Sequence, residues 1–424
     1  MAVLYDTVIH GGAAALAVVH RVPKIFTGRG KNRMFVDGQA LALRSLAREF
    51  RPGARNYWFH CSSLGEYAIA WPIIRTIKDK DPECRIALTF FSPTGVNALK
   101  SNPGRHCADY VGFLPIDTGA HARALLDIVK PSAAAFMVSE YWPNYLSELH
   151  RRHIPTYLIS AIFSRRAPHF KHWFGIGKAF RDSLSAYTRI FALDTKSKNN
   201  LASLGFDRVT LAGDPLVDNA LAVAATPYAD DRLQEFCQGH RVMICGSISD
   251  EKDLHICSTV ANSHPDRRFI FVPHEVDPSH LQRAEASLTV SSCRMSDYVC
   301  GSGQQCNVLI VDHVGSLGLL YRYGAMAYIG GGFTSQLHSI IEATVYGLPA
   351  AFGPRTERKV TPDDLCDLGV GTVVTSPLEL DTWYTHLHDA SDSELWRLRQ
   401  TAIEYCLAQS GATESIAKTI IDNG

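Results

Sequence analysis

The 424-residue sequence lacks a net charge, a paired-cysteine motif, an unbroken apolar run of membrane length and any short repeat. Each absence removes a class of protein. Lys+Arg and Asp+Glu both number 42, so no overall basic field draws nucleic acid, and local patches must carry any anion recognition. Eleven cysteines lie between Cys61 and Cys406 without a C-x-x-C pair, and Cys293, Cys300 and Cys306 lack zinc-site spacing. The odd count and the chain length argue for reduced thiols over a disulfide framework. Ala13 to Val19 is apolar, but Asp6, His10 and Gly11-Gly12 interrupt the run, which falls short of the ~20 residues a spanning helix needs. No small-residue cleavage site follows, so a removable signal peptide is not expected. Arg21, Lys24, Arg29, Lys31 and Arg33 come next. An apolar stretch beside a cationic cluster suits a segment lying on an anionic membrane face. The plain alternative is a buried first helix with a solvated basic loop.

What is present is an alternation. The length implies about two domains of roughly 200 residues. Strand-like runs at Tyr57–His60, Arg85–Phe90, Tyr110–Phe113, Ala133–Val138, Thr156–Ile159 and Arg189–Leu193 alternate with helical stretches such as Tyr67–Lys78, His121–Val129 and Asn144–His150. A second series begins near Val209 and continues at Arg241–Cys245, Arg268–Val272, Val308–Val311, Ala325–Ile329, Leu348–Phe352 and Thr372–Val374. Pro215, Pro227 and Ala229-Asp230-Asp231 mark the join. Such βαβ succession predicts an α/β protein with parallel sheets covered by helices. The expected division is a membrane-associating segment at 1–33, an acceptor-binding Rossmann-like domain at 34–214 and a donor-binding one at 215–424. Two such domains facing each other across a cleft form the GT-B architecture of nucleotide-sugar transferases.

Several strand ends carry reactive residues. His60-Cys61-Ser62-Ser63-Leu64-Gly65-Glu66 breaks from a strand into a helix, and Ser63-x-x-Glu66 fits a capping box. A carboxylate at that turn is also where α/β enzymes keep their chemistry, so Glu66 reads as a cap, a catalytic base or both. The helix dipole is expected to hold it ionised and lower its pKa. Ser139-Glu140-Tyr141-Trp142-Pro143-Asn144 ends another strand on a second carboxylate, and its Trp–Pro pair also serves to seat the next helix. Ser164 to Lys171 clusters Arg165 and Arg166 with aromatic neighbours, either a solvated charge run or a clamp for an acceptor phosphate. In the second half, Gly330-Gly331-Gly332 follows a strand and Leu337–Ala343 opens a helix, an arrangement that brings backbone N–H groups to a phosphate. Glu342, one turn in, is placed to accept from ribose hydroxyls or simply to oppose the dipole. Pro273-His274-Glu275 and Asp312-His313-Val314-Gly315-Ser316 end two further strands.

These residues, in this order, resemble the 3-deoxy-D-manno-octulosonic acid (Kdo) transferases of lipopolysaccharide synthesis. WFHCSSLGE, SPTG, EYWPN, the Pro-His pair, YIGGGF, HSIIEA and FGP all fall in register from near Lys24 almost to the C-terminus, and YRYGAMAYIGGGF looks like a Bacteroidetes-type branch. The resemblance implies a GT-B enzyme on the cytoplasmic face of the inner membrane. Its reaction would move Kdo from CMP-Kdo to a hydroxyl of a lipid A precursor, releasing CMP with inversion and needing no metal or other cofactor. Glu66 would be the general base and Glu140 would stabilise the transition state, with Ser63, Arg165 and Arg166 toward the acceptor. CMP would meet Pro273, His274, Val314, Gly315, Ser316, Gly331, Gly332, Ser339, Ile340, Ile341 and Glu342. Leu216 stands where the family has a cation and Ser316 where it has a glutamate. Those departures keep two other readings open: a UDP-sugar transferase or epimerase of the same fold, and a silent paralogue that binds lipid or nucleotide.

Overall fold

Short runs rich in β-branched and aromatic residues, closed by Ser, Gly and Pro turns, become the strands of two parallel sheets. The architecture is that of a computed structural model, which describes residues 29–164, 181–301, 306–333, 337–356 and 360–424. The chain divides into two units, residues 1–218 with 410–424 and residues 219–409.

The first unit holds β1 (Asn56–Cys61), β2 (Arg85–Phe90), β3 (Tyr110–Phe113), β4 (Ala133–Met137), β5 (Thr156–Ala161), β6 (Arg189–Ala192) and β7 (Val209–Leu211) in the spatial order β3-β2-β1-β4-β5-β6-β7. Every pairing is parallel. Successive residues of one strand enter opposite cores: Tyr57 and Phe59 join one apolar cluster, Trp58 the other. Burial on both faces is why these strands read as unbroken apolar runs. Helix α1 (Arg29–Glu49) precedes the sheet, α2 (Leu64–Lys80) follows β1, and α3 (Pro143–Arg151) follows β4. Val209–Leu211 closes this sheet against β6 rather than opening the second series, a correction to the sequence reading. The first described helix spans Arg29–Glu49, so a boundary at 33 cuts it.

The unit boundary falls inside α4 (Pro215–Ala225), close to the expected join at 215. The second unit holds β8 (Met243–Ile248), β9 (Phe269–Pro273), β10 (Ser292–Arg294), β11 (Val308–Ile310), β12 (Met326–Ile329), β13 (Ala350–Phe352) and β14 (Gly371–Val373), in the order β10-β11-β9-β8-β12-β13-β14. Helix α5 (Glu251–Ser263) follows β8, and α6 (Ile341–Thr344) lies beyond β12. Strand β10 was not legible: it is three half-buried residues, two of them polar, at the sheet edge.

The last helix, α7 (Ala412–Asn423), belongs to the first unit, not to the second as a boundary at 215–424 requires. Its apolar face, Ala412, Ile416, Ala417 and Ile420, completes the core around Tyr57 and Ile73. Asp218 fixes its start by accepting from the N–H groups of Gly411 (2.7 Å) and Thr413 (2.6 Å). No described helix is long and apolar enough to cross a membrane.

Candidate functional site

Each sheet has a switch point where the chain crosses from one half to the other, between β1 and β4 in the first and between β8 and β12 in the second. In the first unit the reversal lies between β1 and β4, where doubly wound sheets open a crevice at their C-terminal edge. Glu66 follows β1 and Glu140 follows β4, so the two carboxylates predicted separately meet there and hydrogen-bond to each other.

Glu66 is a cap in part. Ser63 is the N-cap of α2, its Oγ accepting from the Glu66 N–H at 3.4 Å. The Glu66 carboxylate does not close the reciprocal box on Ser63 but accepts from the N–H of Ser62 at 2.5 Å. Glu140 is buried, 7% exposed, and accepts from the Ser62 hydroxyl and the Trp142 indole N–H. Its backbone carbonyl takes the Tyr187 hydroxyl at 2.8 Å. Val138, two residues earlier, sits at φ +57, a left-handed conformation costly for a β-branched side chain, typically by 1–3 kcal/mol. The sheet and Tyr187 hold that bend.

Burial first, then the Glu140 charge, push the Glu66 pKa up to about 8 against the smaller help of the Ser62 N–H. Glu140 is raised as well, chiefly by burial. The expectation that the dipole would lower Glu66 is therefore overturned: one N–H donor and a helix end do not offset desolvation beside a second carboxylate. The pair holds one proton near neutrality, as like charges in contact must. Beneath it His60 is fully buried, and burial drives its pKa down to about 3, so the ring is neutral. Its Nδ1 lies 3.0 Å from Thr89 Oγ1, which also accepts from Trp58 Nε1 at 2.9 Å, and its Nε2 lies 3.7 Å from Glu140 Oε2. Sequence reasoning passed over His60, Ser62 and the Trp142 indole. The HCSS and EYWP runs contained all three, but their side-chain directions were not readable.

In the second unit the reversal lies between β8 and β12. Here one buried carboxylate, Asp253 of α5, accepts from the N–H of Gly331 (2.8 Å), the Tyr328 hydroxyl (2.7 Å), and the N–H (3.2 Å) and Oγ (3.1 Å) of Ser249. It too was missed, since only the folded chain brings those donors together. It changes the reading of the glycines. A side chain at Gly330 would strike the Ser247 carbonyl at 2.1 Å, and one at Gly332 would strike Gly353 at 2.7 Å. Gly331 has φ +87 and commits its N–H to Asp253. Packing thus accounts for glycine at 330 and 332, and the backbone turn for glycine at 331.

The other predicted donor residues line nearby turns. Pro273 ends β9 in the core, while His274 is exposed, donates its N–H to Ile248 O (2.8 Å) and stacks on His338 at 4.4 Å between ring centroids. Val314 is exposed, Gly315 has φ +94, and the buried Ser316 Oγ has no hydrogen-bond partner among the described residues. Helix α6 starts at Ile341, four residues later than the Leu337 onset read from the sequence. The side chains of Ile340 and Ile341 are buried, whereas Ser339 and Glu342 are half-buried. Glu342 Oε2 lies 3.6 Å from where a Cβ on Gly318 would stand, so Glu342 and the Ser316 turn are neighbours. Leu216 packs against the first-unit core, an apolar duty that a cation there would not fill. Arg165 and Arg166 lie outside the described residues. Glu275, Asp277 and His280 bring three ligand-type atoms together near His274 on the surface, where ion pairing among themselves accounts for them.

The two parallel doubly wound units define a GT-B protein. The solved structure of UDP-GlcNAc 2-epimerase from Neisseria meningitidis bound to UDP-GlcNAc matches 87% of the chain and 99% of its own, at TM-score 0.59 and 16% identity. CalG4, the calicheamicin glycosyltransferase, matches 88% and 98% at TM-score 0.54 and 11% identity. Residues 38–218 match the family model described as 3-deoxy-D-manno-octulosonic-acid transferase (kdotransferase), which spans the carboxylate pair. The 3-deoxy-D-manno-octulosonic acid transferase of Rickettsia typhi is 25% identical over 330 residues, 76% of this chain and 69% of that protein. Over these residues the chain is similar to the Kdo transferases.

Proposed function

We propose that the protein is an inverting glycosyltransferase that moves Kdo from CMP-Kdo to a hydroxyl of a lipid A precursor in lipopolysaccharide synthesis. The observation that carries this reading is the Glu66–Glu140 pair at the first unit's strand reversal. A hydroxyl attacking the anomeric carbon must lose its proton as the new C–O bond forms and the bond to the CMP phosphate breaks, its electron pair passing to the phosphate oxygen. Glu66, ionised, takes that proton, and a base whose pKa lies near working pH both accepts well and is available. Glu140, held by Ser62 and Trp142, keeps Glu66 basic and faces the charge that develops on the sugar.

CMP belongs to the second unit. The Ser339–Glu342 turn that leads into α6 is the proposed seat of the phosphate. Glu342 suits the ribose, with the Ser316 Oγ and the Pro273-His274 turn beside the base. No metal or other cofactor enters this scheme. The acceptor's acyl chains remain in the bilayer, so the enzyme works at the cytoplasmic face of the inner membrane; the basic residues Arg21, Lys24, Arg29, Lys31 and Arg33, whose side chains lie outside the described residues, are the sequence feature that suits its anionic surface.

The test is product formation. The protein incubated with CMP-Kdo and a tetra-acylated lipid A precursor should yield Kdo-lipid and CMP, and CMP but not UDP should raise its melting temperature. Stabilisation by UDP with no Kdo transfer would move the protein to the UDP-sugar enzymes. Binding without transfer would make it a silent paralogue.

A further inference from the structure

The rim of the carboxylate pair carries an aromatic surface that the proton transfer does not use. Strand β2 ends at Phe90, which is buried in the core, but the next residue, Phe91, is 41% exposed. The end of β2 is locked to the turn after β1, because the Ser92 N–H donates to Ser62 O at 3.0 Å. The Phe91 ring meets Trp142 with centroids 5.5 Å apart and planes 43° apart. Trp142 is itself fixed: its N–H is on Glu140 and its ring packs edge-on against His60 at 5.4 Å. Phe91 is thus a bulky aromatic ring partly in water, backed by an indole bonded to a carboxylate of the pair.

The pair activates a hydroxyl, and a sugar presents hydroxyls at its edge but C–H groups on its face. A pyranose that turns one hydroxyl to Glu66 brings a C–H face to the tilted rings. We propose that Phe91, backed by Trp142, is the stacking platform for the acceptor's pyranose ring and fixes which hydroxyl reaches the carboxylate pair. This rests on the transfer reading above and names the substrate group that the aromatic rim recognises.

The probe is a de-acylated glucosamine disaccharide phosphate, titrated calorimetrically into the full-length protein and its variants and assayed as an acceptor with CMP-Kdo. Phe91→Ala should weaken disaccharide affinity and raise the acceptor KM about five- to tenfold, by loss of the apolar area that a ring covers, with the donor KM unchanged. Phe91→Tyr should stay near the parent, and Phe91→Leu should behave like Phe91→Ala. Because Phe91 lies at the surface, all three should melt near the parent temperature. Leucine restoring affinity as well as tyrosine would overturn the platform, since bulk alone then suffices. So would a defect seen only with an acylated acceptor, which assigns the surface to an acyl chain, or a parent that binds no disaccharide. A parent that binds the disaccharide, with the expected variant order, yet transfers no Kdo sinks the transfer reading and leaves the platform standing.

Discussion

The two strand reversals use the same fold feature in opposite ways. At the second, between β8 and β12, one carboxylate, Asp253, receives four donors from two turns and a tyrosine. At the first, between β1 and β4, two carboxylates share few donors and each other. Burial raises the pKa in both places, but at Asp253 the surrounding donors oppose it, whereas at Glu66 the neighbouring charge adds to it. A buried carboxylate ringed by donors fixes backbone; a pair of carboxylates in contact, with fewer donors each, stores basicity. On that contrast Asp253 is the holding carboxylate and the Glu66–Glu140 pair the one proposed to react.

The largest effect should come from removing the holding carboxylate. Asp253→Ala leaves the Gly331 N–H, the Tyr328 hydroxyl and the Ser249 donors without their acceptor, and the second unit should lose about 3 kcal/mol or more of stability. Denaturant unfolding of the full chain checks this, and a loss under 1 kcal/mol would mean that the turns hold without it. In the reacting pair the effect should appear in turnover. Glu66→Gln keeps shape but cannot take a proton, so kcat should fall about 10²-fold or more while the protein stays folded. Activity within a few-fold of the parent would return Glu66 to a cap alone.

A smaller effect tests the coupling itself. Glu66 acts ionised, so the parent's kcat should climb with pH toward a plateau above about 8. Glu140→Gln removes the charge that raises Glu66 but leaves the burial, the larger cause, in place. The rising limb should therefore move to lower pH, by about one unit, whatever happens to the plateau rate. A limb that stays fixed would mean that the two carboxyls do not share a proton.

Much of this was legible in the sequence, and the failures have physical causes. Apolar runs buried on both faces gave away almost every strand, because a parallel sheet hides polar alternation. Glu66 and Glu140 were visible as carboxylates at strand ends, since such ends face the crevice in doubly wound sheets. Their mutual contact was not, because β1 and β4 pair across 70-odd residues of intervening chain. The sign of the Glu66 shift was misread for the same reason: the helix dipole is local and readable, whereas burial and a second carboxylate are tertiary. The packing that requires the glycine triplet was not readable, because neither Ser247, Gly353 nor Asp253 is near it in sequence. Helix α7 was assigned to the wrong unit because an amphipathic helix does not name the core it covers.

The smallest effect is a thermal one, and its sign follows from linkage. A glutamate in the unfolded chain loses its proton near pH 4.5, whereas folded Glu66 keeps it up to about 8. Between those values the native state binds more protons than the unfolded one, so the parent's stability falls as pH rises through the window and levels off above it. Glutamine at position 66 does not titrate, and it also frees Glu140 from a like charge. The melting temperature of Glu66→Gln relative to the parent should thus climb steadily from pH 5 to about 8.5, gaining about 2–4 °C. Any fixed loss from a poorer bond to the Ser62 N–H shifts the whole difference without changing its slope. The same substitution should therefore abolish turnover and stabilise the alkaline protein. A difference that stays flat across this range would show that Glu66 titrates as an ordinary surface carboxylate, and the contrast with Asp253 would collapse.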